Sequence, residues 1–340
     1  MMFATPGVNP PAQKQRLEWL DFFRGAAVQA MIETHVVNTF LSGADRSEAW
    51  FSLLNYFNGL IAPSFLFIAG FAQGMSWRES AVKPFVFARR ARRLLVIAAV
   101  GYALHFPWGD LAAARWADAL RTGSQVDVLQ CLAVSLMIVA VVQWLVWCVP
   151  GRWRLAVQVC ACALLLAGAV YVALRVQEWS GRPVPLAAFV NGRTGSLFPL
   201  FPWMGFVLAG VLAGVFLGNP VACLIGAVVL GGVCFEWRPV VVSALHPEFF
   251  VERVAWVLGL AALCQWAAWW WRPRAVLFAG RESLAMYASH LLVIEWIAAA
   301  GVPRAALSLP GAALIFASVL VAAFGAALAL VRWRVRSMGG

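Results

Sequence analysis

The chain has 340 residues, of which 63% are apolar, 13% aromatic and 12% charged, and its formal net charge is +11. A soluble domain runs at about 45–50% apolar and 25% charged. With a mean hydropathy of +0.80, these values exclude a soluble globular enzyme, a disordered chain and a disulfide-stapled mini-protein, and leave a polytopic helical membrane protein.

A helix crosses the bilayer with roughly 20 mostly apolar residues. Such segments follow one another near residues 20–41, 53–77, 86–108, 126–149, 154–175, 197–217, 220–236, 253–271, 275–299 and 306–331. The expected fold class is all-α: a polytopic membrane helical bundle of about ten transmembrane helices, with both termini cytoplasmic. It divides into a cytoplasmic N-terminal segment (1–19), a transmembrane domain (20–331) and a basic cytoplasmic tail (332–340). The first 19 residues are polar and carry Lys14 and Arg16, so no cleavable signal peptide is expected and the first span serves as signal anchor.

Orientation follows from the basic residues. With the N-terminus inside, Lys14, Arg16, Arg78, Lys83, the arginines of 89–93, Arg152, Arg154, Arg272, Arg274, Arg332, Arg334 and Arg336 all fall on the cytoplasmic side. The positive charge is read as this signal and not as a nucleic-acid site. The longer loops near 109–125, 176–196 and 237–252 then face outward, across an inner cell membrane. The seven cysteines lie in or beside apolar runs without a CxxC and read as small buried apolar residues. Trp269, Trp270 and Trp271 read as an interfacial belt. No internal repeat supports an inverted-repeat transporter.

Ionisable groups inside a bilayer cost several kcal/mol unless they face a partner or a cavity. The first span carries Asp21, Arg24, Gln29, Glu33, His35 and Asn38. Arg24 and His35 are eleven residues apart, which puts them on nearly one face and roughly 16 Å apart along the axis. Met31 and Asn38 lie near that stripe, and Gln29 with Glu33 lies opposite. A helix polar on two sides cannot face lipid, so this span is expected at the centre of the bundle, lining a polar cavity. His35 has two readings, a structural hydrogen bond between helices or a general base. Glu33 reads as structural, and Gly25 as a close-packing position.

The segment FVFARRARRLL brings Arg89, Arg90, Arg92 and Arg93 together. The run is either positive-inside anchoring or, as two i,i+3 pairs of guanidinium forks, a phosphate site. In the fourth span Asp127 and Gln130 either orient a polar acceptor or cap the helix. In the ninth span Ser283, Tyr287 and His290 share a face and bond either to a neighbouring helix or to a substrate. His105 and His246 read as solvated. No HExxH, glycine-rich phosphate loop or nucleophile elbow occurs, and no metal site is expected. These residues alone also fit a proton-coupled transporter or flippase of a polar solute, using Glu33 and Glu295, or an inactive scaffold.

Six segments in order carry a resemblance. They are Asp21-x-x-Arg24-Gly25, His35, APSFLFIAGFAQG at 62–74, VDVLQCLAVSL at 126–136, FPLFPWMGFVLAGVLAG at 198–214 and RESLAMYASHLL at 281–292. Together they resemble the heparan-alpha-glucosaminide N-acetyltransferase catalytic-domain family, and Arg24 with His35 fits the R-x10-H pattern of the wider acyltransferase-3 membrane enzymes. Arg89/Arg92 and Arg90/Arg93 fit the RxxR pattern of those enzymes. The resemblance implies transfer of an acetyl or other short acyl group from cytoplasmic acetyl-CoA or acyl-CoA to an amine or hydroxyl of an extracytoplasmic sugar. It implies His35 as general base or acyl carrier, Arg24 held by Asp21 at the coenzyme or as a gate, and Asn38 or Gln130 on the thioester oxygen or acceptor. Arg89, Arg90, Arg92 and Arg93 would hold the donor's phosphates, and Asp127, Gln130, Ser283, Tyr287 and His290 the substrate. The implied partners are acyl-CoA, a sugar or glycan acceptor, the lipid bilayer and, as a homodimer, a second copy of the chain; no nucleic acid and no metal are implied. The loop at 42–52 holds no histidine, which leaves N- against O-acylation open.

Overall fold

The computed structural model describes residues 17–77, 84–107, 112–176, 179, 184–236 and 246–338. Lys14, Arg16, Arg78 and Lys83, and most of the loop at 237–252, lie outside the described residues. The described chain is helical apart from one isolated bridge between Leu41 and Leu307. Its helices are α1 (Glu18–Phe40), α2 (Gly43–Arg46), α3 (Ala49–Asn58), α4 (Ile61–Trp77), α5 (Pro84–Leu104), α6 (Trp116–Gly123), α7 (Val128–Leu145), α8 (Gly151–Arg175), α9 (Val184–Val190), α10 (Leu200–Phe216), α11 (Pro220–Glu236), α12 (Pro247–Trp270), α13 (Arg274–Arg281), α14 (Ser283–Ala299) and α15 (Leu309–Met338).

Every expected span coincides with a helix, but two are broken. The second divides at Gly59 and Leu60 into α3 and α4. Pro63 in the first turn of α4 has no N–H to continue a ladder from α3. The ninth divides at Glu282 into the amphipathic α13 and the apolar α14. The eighth starts earlier than hydropathy suggests, because Pro247 takes the first position of α12.

Among the described residues five segments are long and apolar enough to cross a membrane: Ala49–Trp77, Val128–Cys148, Gly151–Arg175, Pro247–Trp270 and Leu309–Ser337. Leu200–Phe216, Pro220–Val233 and Ser283–Ala299 are shorter apolar helices. The bundle is polytopic and inverted relative to a soluble protein. Leu164, Leu314 and Val321 on its outside are 68–73% exposed, while the inward positions of α15 are Ala312, Val319, Ala323 and Ala327, at most 1% exposed. This pattern also corrects two cysteines. Cys131, Cys162, Cys223 and Cys264 are buried, but Cys148 and Cys160 are exposed; Cys160 lies on the outward side of α8.

Small residues set the tightest crossings. A Cβ on Gly70 or Gly74 of α4 would collide with the carbonyl of Val207 or Val211 of α10. A Cβ on Gly210 or Gly214 would collide with the carbonyl of Phe67 or Phe71. Four glycines thus bring two backbones into contact, the small-xxx-small solution for helices that gain nothing from excluding water.

α1 is central, packed by α3, α4, α12, α13, α14 and α15. Its crossing with α13 is also reciprocal, Gly25 lying under the Val276 carbonyl and Gly280 under that of Asp21. Asp21, only 2% exposed, stands 3.4 Å from Arg281 Nε. The resemblance implied Arg24 as the partner of Asp21; the structure places Arg281 against it, brought there by the glycine crossing. Because breaking a buried ion pair costs far more than breaking an exposed one, Arg281→Ala should lower the melting temperature in detergent more than Arg272→Ala. The latter breaks the exposed Arg272–Glu18 pair and the bond from Arg272 Nε to Ala268 O. Equal shifts in a fluorescence melt would refute this.

The termini of the helices define two ends. The basic end holds the starts of α1 and α5, the ends of α7 and α12, and Arg334 bonded to Glu282. At the loop-rich end, Ala305 N–H donates to Thr39 O, and Leu307 N–H to Phe40 O, tying α1 to the loop before α15.

Candidate active site

Four helices bring the polar residues of the spans together in the loop-rich half. α1 supplies His35, α14 supplies Tyr287 and His290, α7 begins at Asp127 and carries Gln130, and α5 ends beside His105. The start of α7 is fixed by Ser196, whose Oγ accepts from Val126 N–H at 3.0 Å, and by Phe198 N–H donating to Val126 O at 3.1 Å.

Asp127 occupies the N-cap position of α7 but makes no side-chain cap bond. Instead Tyr287 Oη donates to Asp127 Oδ2 at 2.6 Å, and His105 Nε2 lies 3.7 Å from the same oxygen. The capping alternative for Asp127 is therefore replaced by a link between helices. His105, read from sequence as merely solvated, is 43% exposed yet faces this carboxylate. Gly101 and His105 lie one turn apart at the end of α5, and the 3.2 Å contact between His105 Nδ1 and Gly101 O turns the ring back toward α7.

His290 is fully buried. Its Nδ1 lies 3.1 Å from Met286 O; a carbonyl only accepts, so Nδ1 carries the hydrogen and Nε2 is left as a lone pair. That Nε2 is buried and without a partner. The His35 ring stands 5.2 Å from the His290 ring, centroid to centroid, and the Tyr287 ring packs edge-on against His290 at 5.5 Å. Gln130 is also fully buried, and neither its Nε2 nor its Oε1 has a partner. It lies against Gly101, where a Cβ would come 2.7 Å from Oε1. Buried polar groups are nearly always satisfied, so an orphaned amide and an orphaned imidazole nitrogen in one region need an explanation. A site kept ready for a polar ligand provides one.

The remaining expected site residues sit elsewhere. Arg24 is half-buried on α1, two turns or more nearer the basic end. Asn38 is exposed, and it is its backbone carbonyl that accepts from Arg46, at 2.7 Å. Ser283 is half-buried at the start of α14, toward the basic end. Glu295 is exposed and paired with Arg304 at 2.7 Å, so it is not the buried carboxylate that a transporter reading used. Arg89, Arg92 and Arg93 are exposed at the basic end, whereas Arg90 turns inward to Gln143. Among the described residues no group of three or more His, Cys, Asp or Glu is placed to hold a metal ion. A separate cavity of about 530 Å³ at the basic end, lined by Trp19, Asn219, Gln265 and Arg272, touches none of the histidines.

The family model for the heparan-alpha-glucosaminide N-acetyltransferase catalytic domain matches residues 16–223, more than half of the chain. The chain belongs to this family. No curated protein matches it. The match runs from α1 into α11 and contains His35, His105, Asp127 and Gln130. Membership makes the chain a membrane-embedded enzyme of the acyltransferase class. Tyr287 and His290, which complete the cluster, lie beyond the matched stretch and reach it through the packing of α14 on α1.

Proposed function

We propose that the chain transfers an acetyl or other short acyl group from cytoplasmic acyl-CoA to an amine or hydroxyl of an extracytoplasmic sugar. One observation carries this reading: the buried, unpartnered Nε2 of His290 beside His35, with the unpartnered amide of Gln130 on α7. In this reading the ten spans place both termini in the cytoplasm of a cell with the protein in its inner membrane. Residues 20–331 form the catalytic domain, flanked by the segments 1–19 and 332–340. The donor enters from the basic end, and the acceptor from the loop-rich end beside His105. A second copy of the chain, as a homodimer, is a further partner.

The chemistry follows from the groups. His35 takes the proton of the acceptor N–H or O–H as that atom attacks the thioester carbonyl. His290 Nε2, which has no partner among the described residues, stands beside the His35 ring and accepts its N–H during the reaction, orienting it as the third group of a nucleophile–base–orienter set. Gln130 Nε2–H donates to the oxygen of the tetrahedral intermediate. The C–S bond then breaks, and the proton on His35 passes to the departing thiolate. Asp127 and Tyr287 hold the acceptor side, with Asn38 at its rim. Arg24 and Asp21 line the path of the donor past Ser283, and the arginines of α5 hold its phosphates.

The test is turnover. Purified protein in proteoliposomes, supplied with radiolabelled acetyl-CoA and a panel of amino sugars and neutral sugars, should release free CoA and label a sugar. Gln130→Leu, which removes both orphaned atoms without shrinking the side chain much, should lower kcat by about 10²-fold, the effect of one oxyanion donor, at an unchanged KM for the donor. Proton-driven solute uptake with no CoA release would overturn the reading.

A further inference from the structure

A second orphaned amide lies at the basic end. Gln143, in the last turn of α7, is 2% exposed. Its Oε1 accepts from Arg90 Nη1 of α5 at 2.6 Å and from Gln73 Nε2 of α4 at 2.8 Å. These two donors fix which end of the amide is oxygen. Gln143 Nε2 is therefore a donor, and it is buried without a partner. Arg90 is half-buried, and its hydrogen-bond partner is this neutral amide. Among the described residues no carboxylate pairs with it, unlike Arg272, Arg281 and Arg334, which meet Glu18, Asp21 and Glu282. A cation drawn into a membrane bundle without a counter-charge, next to an unused N–H donor, is a site that lacks an anion.

We propose that Arg90, Gln143 and Gln73 form a socket for a phosphoryl group. Gln143 plays two parts. Its oxygen positions the Arg90 guanidinium inside the bundle, and its N–H is a second donor to the same anion. Gln73 holds the Gln143 amide in the orientation that frees this N–H. The exposed Arg89, Arg92 and Arg93 lie outside the socket and attract anions to its mouth.

The socket deepens the acyl-CoA reading and, in assigning its occupant, rests on it. Gln143 and Gln130 are thirteen residues apart on α7, about 20 Å along the axis. An extended pantetheine arm joins a phosphate to a thioester over such a span. The occupant is then the donor's diphosphate, and the socket selects nucleotide-bearing donors over acylated pantetheine. The phosphate of an anionic lipid is the other source of the same chemistry.

The decisive variant is Gln143→Glu. It keeps the shape and both accepted hydrogen bonds, supplies Arg90 with a counter-charge and removes the free N–H. Binding of CoA, 3′-dephospho-CoA and S-acetylpantetheine to the full chain would be measured calorimetrically in nanodiscs of zwitterionic lipid. Melting curves would be recorded with and without anionic lipid. Wild type should bind both nucleotides and bind S-acetylpantetheine far more weakly. Gln143→Glu should melt no lower than wild type and lose CoA affinity by about tenfold or more, one charge-assisted bond's worth. Gln143→Leu, which also releases Arg90, should lose it too. Stabilisation by anionic lipid alone, abolished in Gln143→Glu, would keep the socket and overturn its assignment to the donor. Equal CoA affinity in wild type and Gln143→Glu would overturn the socket and leave the acyl-CoA reading standing. Absence of CoA binding and of lipid stabilisation in folded wild type would overturn both.

Discussion

His35→Ala is expected to lower kcat for acyl transfer by about 10²–10⁴-fold, the contribution of a positioned general base. CoA affinity should stay unchanged, because the proposed phosphoryl socket of Arg90 and Gln143 lies at the other end of α7 from the histidines. The fold should survive, since His35 is only half-buried and none of the close glycine crossings rests on its side chain. His290→Ala should also lower kcat, but by less than His35→Ala, since an orienting group can be lost while the base remains. The ratio between the two separates base from orienter. Steady-state kinetics for both variants, with donor affinity and melting temperature measured beside them, check every part. Full turnover by folded His35→Ala would remove His35 from the chemistry and make His290, with its bare Nε2, the candidate base.

This ordering of the two histidines was half legible in the sequence. The polarity of α1 on two sides placed it at the centre of the bundle, and the structure surrounds it with six helices. The i, i+4, i+7 stripe of Ser283, Tyr287 and His290 announces a polar face, and it meets α1 at His35 and the start of α7 at Asp127. What sequence could not supply was the partner of each group. Asp127 sits where a capping residue belongs, and only the approach of α14 shows that its carboxylate serves Tyr287 instead. His105 ends an apolar helix, a position typical of solvated residues, and only the neighbouring start of α7 gives it a carboxylate. Gln73 and Gln143 do not stand out in the sequence, because each is a lone amide in an apolar run. That isolation was itself the signal, since an amide in hydrocarbon needs a partner. Glu295 is the opposite case, since its place in an apolar stretch suggests burial that the structure does not show. It lies on the outer side of α14 near its end, where Arg304 from the next loop reaches it.

The scaffold under this site rests on backbone contact, and one glycine tests it. Gly210→Leu should abolish folded, monodisperse protein in detergent. The added Cβ would meet the carbonyl of Phe67 on α4, and a backbone carbonyl inside a helix cannot turn aside as a flexible side chain can. Ordinary overpacking costs about 1–3 kcal/mol because side chains yield. Here the two helices must separate, and with them the contacts of Gly70, Gly74 and Gly214 along the same crossing. Phe67, Phe71 and Leu208, all fully buried there, would lose their packing together. Gly168→Ala is the matched control, because nothing lies within 4 Å of the added Cβ on the outward side of α8. It should be neutral or stabilising by about 0.5–1 kcal/mol, the helix preference for alanine over glycine. Size-exclusion profiles and melting curves of the two variants give the answer. Folded Gly210→Leu with a wild-type melt would mean that α4 and α10 do not meet at their backbones, and the placement of Gln73 against Gln143 would fall with that contact.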